Sequence, residues 1–219
     1  MQIKDIQGFH RLVEMLDASA RLAEPARITA QAQAGLSELL NSDELMLPAQ
    51  AAYAPPGQYA RRLLYRSKTY GYVVIAMAWA PGVRSAIHDH GGAWGVEAVV
   101  SGRIEESRFA LKEQSNGFSR LHRAGVIAAS HGQCGTLVPQ QDYHQVMNPS
   151  YAIRAVTLHV YSRDLTHCRL FEHHSEDWYT WKLGRLSYDA WKEGASVEYA
   201  GETPTPASSP FWEPQPSAA

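Results

Sequence analysis

Long apolar runs are missing from this sequence. None approaches the ~20 residues that cross a bilayer, and the opening Met1-Gln2-Ile3-Lys4-Asp5 has no apolar segment of a secretion signal. No membrane partner and a cytoplasmic location are therefore expected. Charge of one sign is missing too: 20 Lys and Arg stand against 22 Asp and Glu, for a formal charge of -2, and the basic residues are scattered. That pattern gives no footprint for nucleic acid or an anionic surface. Cysteine is scarce, since Cys134 and Cys168 are too few for a secreted disulfide framework. They could pair, or join His131 and His167 around zinc. Neither stands in a Cys-x-x-Cys spacing, however, and free cysteine is among the most buried residue types, so two buried thiols are the better reading.

What is there is a globular composition, 45% apolar and 19% charged. At 219 residues one substantial core in one domain is expected, without internal repeats. Residues 1–50 read as N-terminal helices, with apolar positions at helical spacing from Ile3 to Leu22 (Ile6, Phe9, Leu12, Val13, Leu16) and again from Ala26 to Leu40. After Pro55-Pro56-Gly57 the pattern changes to short Val-, Ile-, Tyr- and Trp-rich segments. Strands are expected at Tyr59–Tyr65, Tyr72–Trp79, Trp94–Val100, Arg103–Leu111, Gly135–Val138 and Ala155–Tyr161, with turns at Ser101-Gly102 and Gln114-Ser115-Asn116-Gly117. Such spacing predicts a mainly β fold, a barrel or double-sheet jelly roll over residues 51–190. Residues 191–219 read as a C-terminal extension ending in an extended Pro-, Ala- and Ser-rich tail from Thr203.

His88-Asp89-His90 opens the functional reading. In extended chain, residues i and i+2 share a face, so both histidines can reach one metal while Asp89 points away. His144 is the third candidate ligand, in a turn-like stretch leading into a later strand. An isolated His-x-His is only suggestive. Gly82 lies six residues before His88, Gly102 twelve after His90, and Asn148 four after His144. Together these resemble the two cupin motifs, with Gln141 in place of the second motif's glycine, and the resemblance implies a cupin-type double-stranded β-helix. The carboxylate usual a few residues after His-x-His is missing, because Trp94 and Gly95 stand there. Glu97, the first acid, is too far along and reads as a supporting strand residue. Three neutral imidazoles leave a divalent ion its full charge, which favours an anionic ligand such as a thiolate. Imidazole suits iron, zinc, copper and nickel alike, so ligand type does not select the metal.

Thr157, His159 and Tyr161 alternate with Leu158 and Val160. The apolar pair should pack on a hydrophobic layer, leaving Thr, His and Tyr to line a polar cavity as a hydrogen-bonded chain.

The runs Gln133-Cys134, His144-Gln145-Val146-Met147-Asn148 and Ala155 to Ser162 followed by Cys168, with Tyr59-Ala60-Arg61 and Ile87 to His90 upstream, resemble the type I cysteine dioxygenase family over roughly Tyr59 to Phe171. The resemblance implies Fe(II) held by His88, His90 and His144, a carboxylate-binding Arg61 beside Tyr59, and a triad of Thr157, His159 and Tyr161 with Thr in place of Ser. It also implies a reaction that adds both atoms of O2 to the sulfur of a small carboxylated thiol, L-cysteine first. Gly95 stands where eukaryotic members carry the cysteine that crosslinks to the tyrosine, so an unmodified Tyr161 is expected. Arg169 is a candidate second cation that would suit mercaptosuccinate, and 3-mercaptopropionate is a further alternative. Trp94 could narrow the pocket or belong to the core. The competing classes are a zinc or manganese cupin isomerase or hydrolase, and a metal-dependent small-molecule sensor. The missing cupin carboxylate and the Thr-x-His-x-Tyr face argue against the first.

Overall fold

The computed structural model describes residues 6–139 and 143–191. Gln141 and the expected tail lie outside them. Among the described residues two α-helices, α1 (Phe9–Ala20) and α2 (Pro25–Asn41), precede eleven strands. These are β1 (Tyr59–Arg66), β2 (Val73–Trp79), β3 (Ile87–His88), β4 (Gly95–Ser101), β5 (Arg103–Ser115), β6 (Phe118–Ser130), β7 (Cys134–Leu137), β8 (Tyr143–Met147), β9 (Ala155–Tyr161), β10 (His167–Ser175) and β11 (Trp178–Arg185). β1-β2-β9-β4-β7 form one sheet, and β10-β11-β6-β5-β8-β3 close on themselves. This is the expected mainly β architecture with N-terminal helices.

The five-stranded sheet is covered on both faces, which is why β2 and β9 are buried at every position. Val74, Ala76, Val96, Leu158 and Val160 pack with Leu12, Leu16, Leu36 and Leu40 of the helices. Ile75, Met77, Trp79, Val99 and Tyr161 turn the other way, toward the barrel interior. Trp94 packs with the helix-side cluster, so it belongs to the core rather than the pocket. Period-2 alternation thus sends alternate residues of β2, β4 and β9 to a helix-covered layer and to the barrel interior, where buried Glu97, Thr157 and His159 stand among apolar side chains. α2 is tied down by Ser37 Oγ donating to Gly132 O at 2.9 Å and Gln33 Nε2 to Cys134 O at 2.7 Å. Both cysteines are free and buried.

Five strands lie beyond those expected: the short β3 and β8, which carry His88 and His144, the latter expected in a turn-like stretch, and the longer β6, β10 and β11. Burial in the longer three alternates weakly because one face meets solvent, so polar residues such as Glu172, His173 and His174 mask the strand pattern. The expected turn at Asn116-Gly117 joins β5 to β6, with φ of 51° and 83° as a two-residue hairpin requires. Gly102 has φ 74°, and a Cβ there would sit 2.6 Å from Arg154 O, which explains the glycine in the motif. Asn148 is fully buried and donates to the carbonyls of Trp79, Ala80 and Ile153, so that motif residue ties the end of β2 to the loop between β8 and β9.

Candidate active site

β3 and β8 pair antiparallel with His88 opposite His144, so the two rings face each other across the ladder. His90 follows in the next turn, 2% exposed, its ring stacked on Tyr161 with centroids 5.4 Å apart. One ligand atom from each of His88, His90 and His144 lies within 4.8 Å of the others. His88 Nδ1 is 3.0 Å from Ala86 O, and His144 Nδ1 is 3.0 Å from Glu106 Oε1. Both acceptors place the ring proton on Nδ1, so each Nε2 carries a lone pair. Those two Nε2 atoms lie 3.2 Å apart. Two lone pairs at that distance repel unless a cation lies between them, and two nitrogens bound at about 2.1 Å to one metal take a similar separation. The donor set fits a metal.

Electrostatics agree. Burial and the neighbouring His144 push His88 down to about 4, and burial and His144 also lower His90, so both rings are neutral at pH 7. Burial opposes charge on His144 too, but Glu97 and Glu106 outweigh it and raise its pKa. Carboxylates that favour a proton there favour a metal cation equally. Glu106 is itself held by Arg108, with Nε at 2.9 Å from Oε1. Asp89 is not part of the set. It turns to β10, where Oδ1 accepts from Arg169 N at 2.9 Å and Oδ2 from Arg169 Nε.

The polar strand face expected on β9 is there. Trp79 Nε1 can only donate, and it donates to Thr157 Oγ1 at 2.9 Å. The Thr157 hydroxyl proton is then directed at His159 Nε2, 2.7 Å away, which leaves the imidazole proton on Nδ1. That Nδ1 lies 2.9 Å from both Tyr161 Oη and Glu97 Oε1, and Tyr161 donates to Glu97 Oε1 at 3.0 Å. Glu97 comes into reach because β4 pairs with β9 in a register that sets Glu97 opposite His159 and Gly95 opposite Tyr161. Burial raises the Glu97 pKa, but His159 and His144 together carry it well below the carboxylate range, so it stays anionic. Burial and Glu97 hold the Tyr161 phenol protonated, well above its usual value. A Cβ at position 95 would lie 2.8 Å from the Tyr161 ring, so Gly95 makes room for that ring.

These groups share one cavity of about 120 Å³, room for a molecule of a few heavy atoms. Its lining includes Tyr59, Arg61, His88, His90, Glu97, His144, His159, Tyr161 and Cys168. Arg61 is 6% exposed, its Nη2 donates to Leu165 O at 3.4 Å, and its Nη1 is buried without a hydrogen-bond partner among the described residues. A buried guanidinium with an unused donor is a site for an anion. Tyr59 packs against Trp79 with the rings tilted and their centroids 5.1 Å apart. Burial and Asp89 raise Cys168 to about 11, so it is a thiol at neutral pH.

Arg169 does not join this set. It alternates with Cys168 and Leu170, which line the cavity, and its guanidinium is held by Asp89 and by Tyr143 Oη at 3.2 Å. The zinc arrangement of Cys134, Cys168, His131 and His167 is not assembled among the described residues. Glu106 escaped the sequence reading altogether. Ile104 and Glu106 share a strand face and are both 1% exposed, so a carboxylate two residues from a buried Ile was the available signal.

The profile of the cysteine dioxygenase type I family matches residues 11–174, three quarters of the chain. The chain belongs to the cysteine dioxygenase type I family. Membership makes it a thiol dioxygenase. Relatives of this family include cysteine dioxygenase type 1 of Bos taurus and of Homo sapiens, each 24% identical over 161 residues, 69% of this chain and 78% of theirs. Among solved structures, a conserved protein with a double-stranded β-helix domain from Klebsiella pneumoniae superposes with a TM-score of 0.42 at 19% identity, over 58% of this chain and 97% of that one. No helix among the described residues is long and apolar enough to cross a membrane.

Proposed function

We propose that this protein is an Fe(II)-dependent dioxygenase that converts a small carboxylated thiol and O2 into the sulfinic acid, RSH + O2 → RSO2H, with L-cysteine as its first substrate. The observation that carries the reading is the cavity itself. Three histidines bring one ligand atom each within 4.8 Å of the others, and the same cavity is lined by a buried Arg61 with an unused donor. His88, His90 and His144 would hold iron, which supplies a site where thiolate and O2 meet.

The remaining work falls to the protein's own side chains. Arg61 binds the substrate carboxylate by a charge-assisted hydrogen bond, which fixes the sulfur end toward the histidines. Tyr161 is pinned by His159 and, through it, by Thr157 and Trp79. Its proton points at Glu97 in this structure, so it reaches a bound substrate only by rotation of the hydroxyl. Glu97 then serves as the resting acceptor of that proton. Tyr59, Met77, Leu165 and Leu186 give the cavity an apolar wall that limits water around the reacting atoms. With Arg169 committed to Asp89, the described residues lining the cavity offer one guanidinium, that of Arg61, which favours a monocarboxylic thiol over mercaptosuccinate. Two buried free thiols suit a reducing compartment such as the cytoplasm.

The test is O2 uptake by the Fe(II)-loaded protein with L-cysteine, 3-mercaptopropionate, mercaptosuccinate and cysteamine in parallel, products identified by mass. L-cysteine should show the highest kcat/KM, with cysteamine, which lacks the carboxylate, far behind. Loaded protein that consumes O2 with none of the four would refute the reading, and a preference for cysteamine would remove Arg61 from substrate binding.

A further inference from the structure

Beyond β11, and beyond the residues matched by the family profile, the chain leaves the barrel and runs along the open edge of β1. Leu186 N donates to Thr166 O at 2.8 Å. Asp189 then pairs with both backbone polar groups of Arg61. Its N–H donates to Arg61 O at 2.7 Å, and its Oδ2 accepts from Arg61 N at 2.8 Å. Ala190 O accepts from Arg62 Nε at 3.4 Å, and Trp191 covers the Arg62 guanidinium. The segment therefore extends the sheet by one short strap and protects its edge.

The strap also reaches the cavity. Leu186 lines it, and the Tyr188 ring lies 4.7 Å from Arg61 Cζ. Tyr188 is itself fixed, because its hydroxyl donates to Asp164 Oδ1 at 2.6 Å while Arg66 holds the other carboxylate oxygen. Arg61 is thus confined by a ring on one side and by Leu165 O on another, leaving Nη1 unused.

We propose that the strap walls the substrate cavity through Leu186 and that Tyr188, behind it, is a positioning residue: its ring sets the Arg61 guanidinium to read the carboxylate, and so sets selection for carboxylated thiols. The proposal rests on the reading of Arg61 given above. A desolvated ring–guanidinium contact of this kind is of the size that changes an affinity about 10-fold.

The experiment compares the Fe(II)-loaded full chain with its Tyr188→Ala, Tyr188→Leu and Tyr188→Phe variants. Binding of 3-mercaptopropionate and of 2-mercaptoethanol, a similar small thiol without the carboxylate, is titrated without O2, and turnover is then measured with O2. The Ala and Leu variants should bind 3-mercaptopropionate about 10-fold more weakly and 2-mercaptoethanol within about twofold, with the turnover defect in KM rather than kcat. Phe keeps the ring and should restore selection. Leu keeps the apolar fill, so a selective loss in Leu at unchanged melting temperature separates positioning from collapse of the wall. Equal loss for both thiols, no loss, or no rescue by Phe would overturn the proposal, as would wild type binding both thiols alike. If wild type selects 3-mercaptopropionate yet consumes no O2 with any thiol, the dioxygenase reading fails while the role of Tyr188 stands.

Discussion

Glu106 is the sharpest place to perturb the metal centre without touching a ligand. Its Oε1 holds His144 Nδ1 at 3.0 Å, in a position 1% exposed. A hydrogen bond to a charged group contributes about 1.5–3 kcal/mol, and each 1.4 kcal/mol is tenfold in a binding constant. Glu106→Ala should therefore weaken metal binding about 10–100-fold, by freeing the imidazole to rotate and to place its proton on Nε2. Glu106→Gln keeps volume and an acceptor but not the charge, and should lose about 10-fold. Arg108 is the control for the ion pair. Its side chain is 36% exposed and can turn to solvent when its partner goes, so Arg108→Ala should stay within about threefold of wild type. Fe(II) or Zn(II) affinity is read by chelator competition without O2, alongside circular dichroism to confirm folding. A folded Glu106→Ala protein that binds metal as tightly as wild type would refute the claim that this carboxylate orients His144.

Other consequences can be checked on the same protein. Arg61→Ala should raise KM for L-cysteine about 10–100-fold, the size of a lost charge-assisted contact, and leave KM for cysteamine nearly unchanged. Gly95→Ala puts a methyl 2.8 Å from the Tyr161 ring, so a thermal melt should show a loss of about 1–3 kcal/mol, with a drop in kcat as the phenol is displaced. The pH dependence of metal binding follows from His144. Its pKa in the fold lies above 6.5, so between pH 6.5 and that raised value a metal must displace one proton. Chelator competition should show affinity rising about tenfold per pH unit across that window and levelling above it. The same proton stabilises the metal-free fold below pH 6.5, and that contribution disappears as pH rises through the raised value.

Local periodicity carried much of this molecule. The i, i+2 spacing of His88 and His90, and the alternation from Thr157 to Tyr161, are properties of single strands and can be read from neighbouring letters. Glu97 and Glu106 act across the ladder, on residues 62 and 38 positions away along the chain, so their partners depend on a register that no local pattern encodes. Arg169 shows the converse. Its place in the sequence suggested a substrate cation, but strand alternation turns it away from Cys168 and Leu170, and buried Asp89 claims it. The strap is least legible of all, since residues 186–191 have no regular period and take their shape from the edge of β1.

The most direct test of the central claim follows the oxygen atoms. Iron-loaded protein is given L-cysteine under O2 in which both atoms are the heavy isotope, in ordinary water, and the product is weighed. The expected product is cysteine sulfinate carrying two heavy atoms in one molecule. Product with a single heavy atom, or disulfide formed as the O2 is consumed, would contradict that claim.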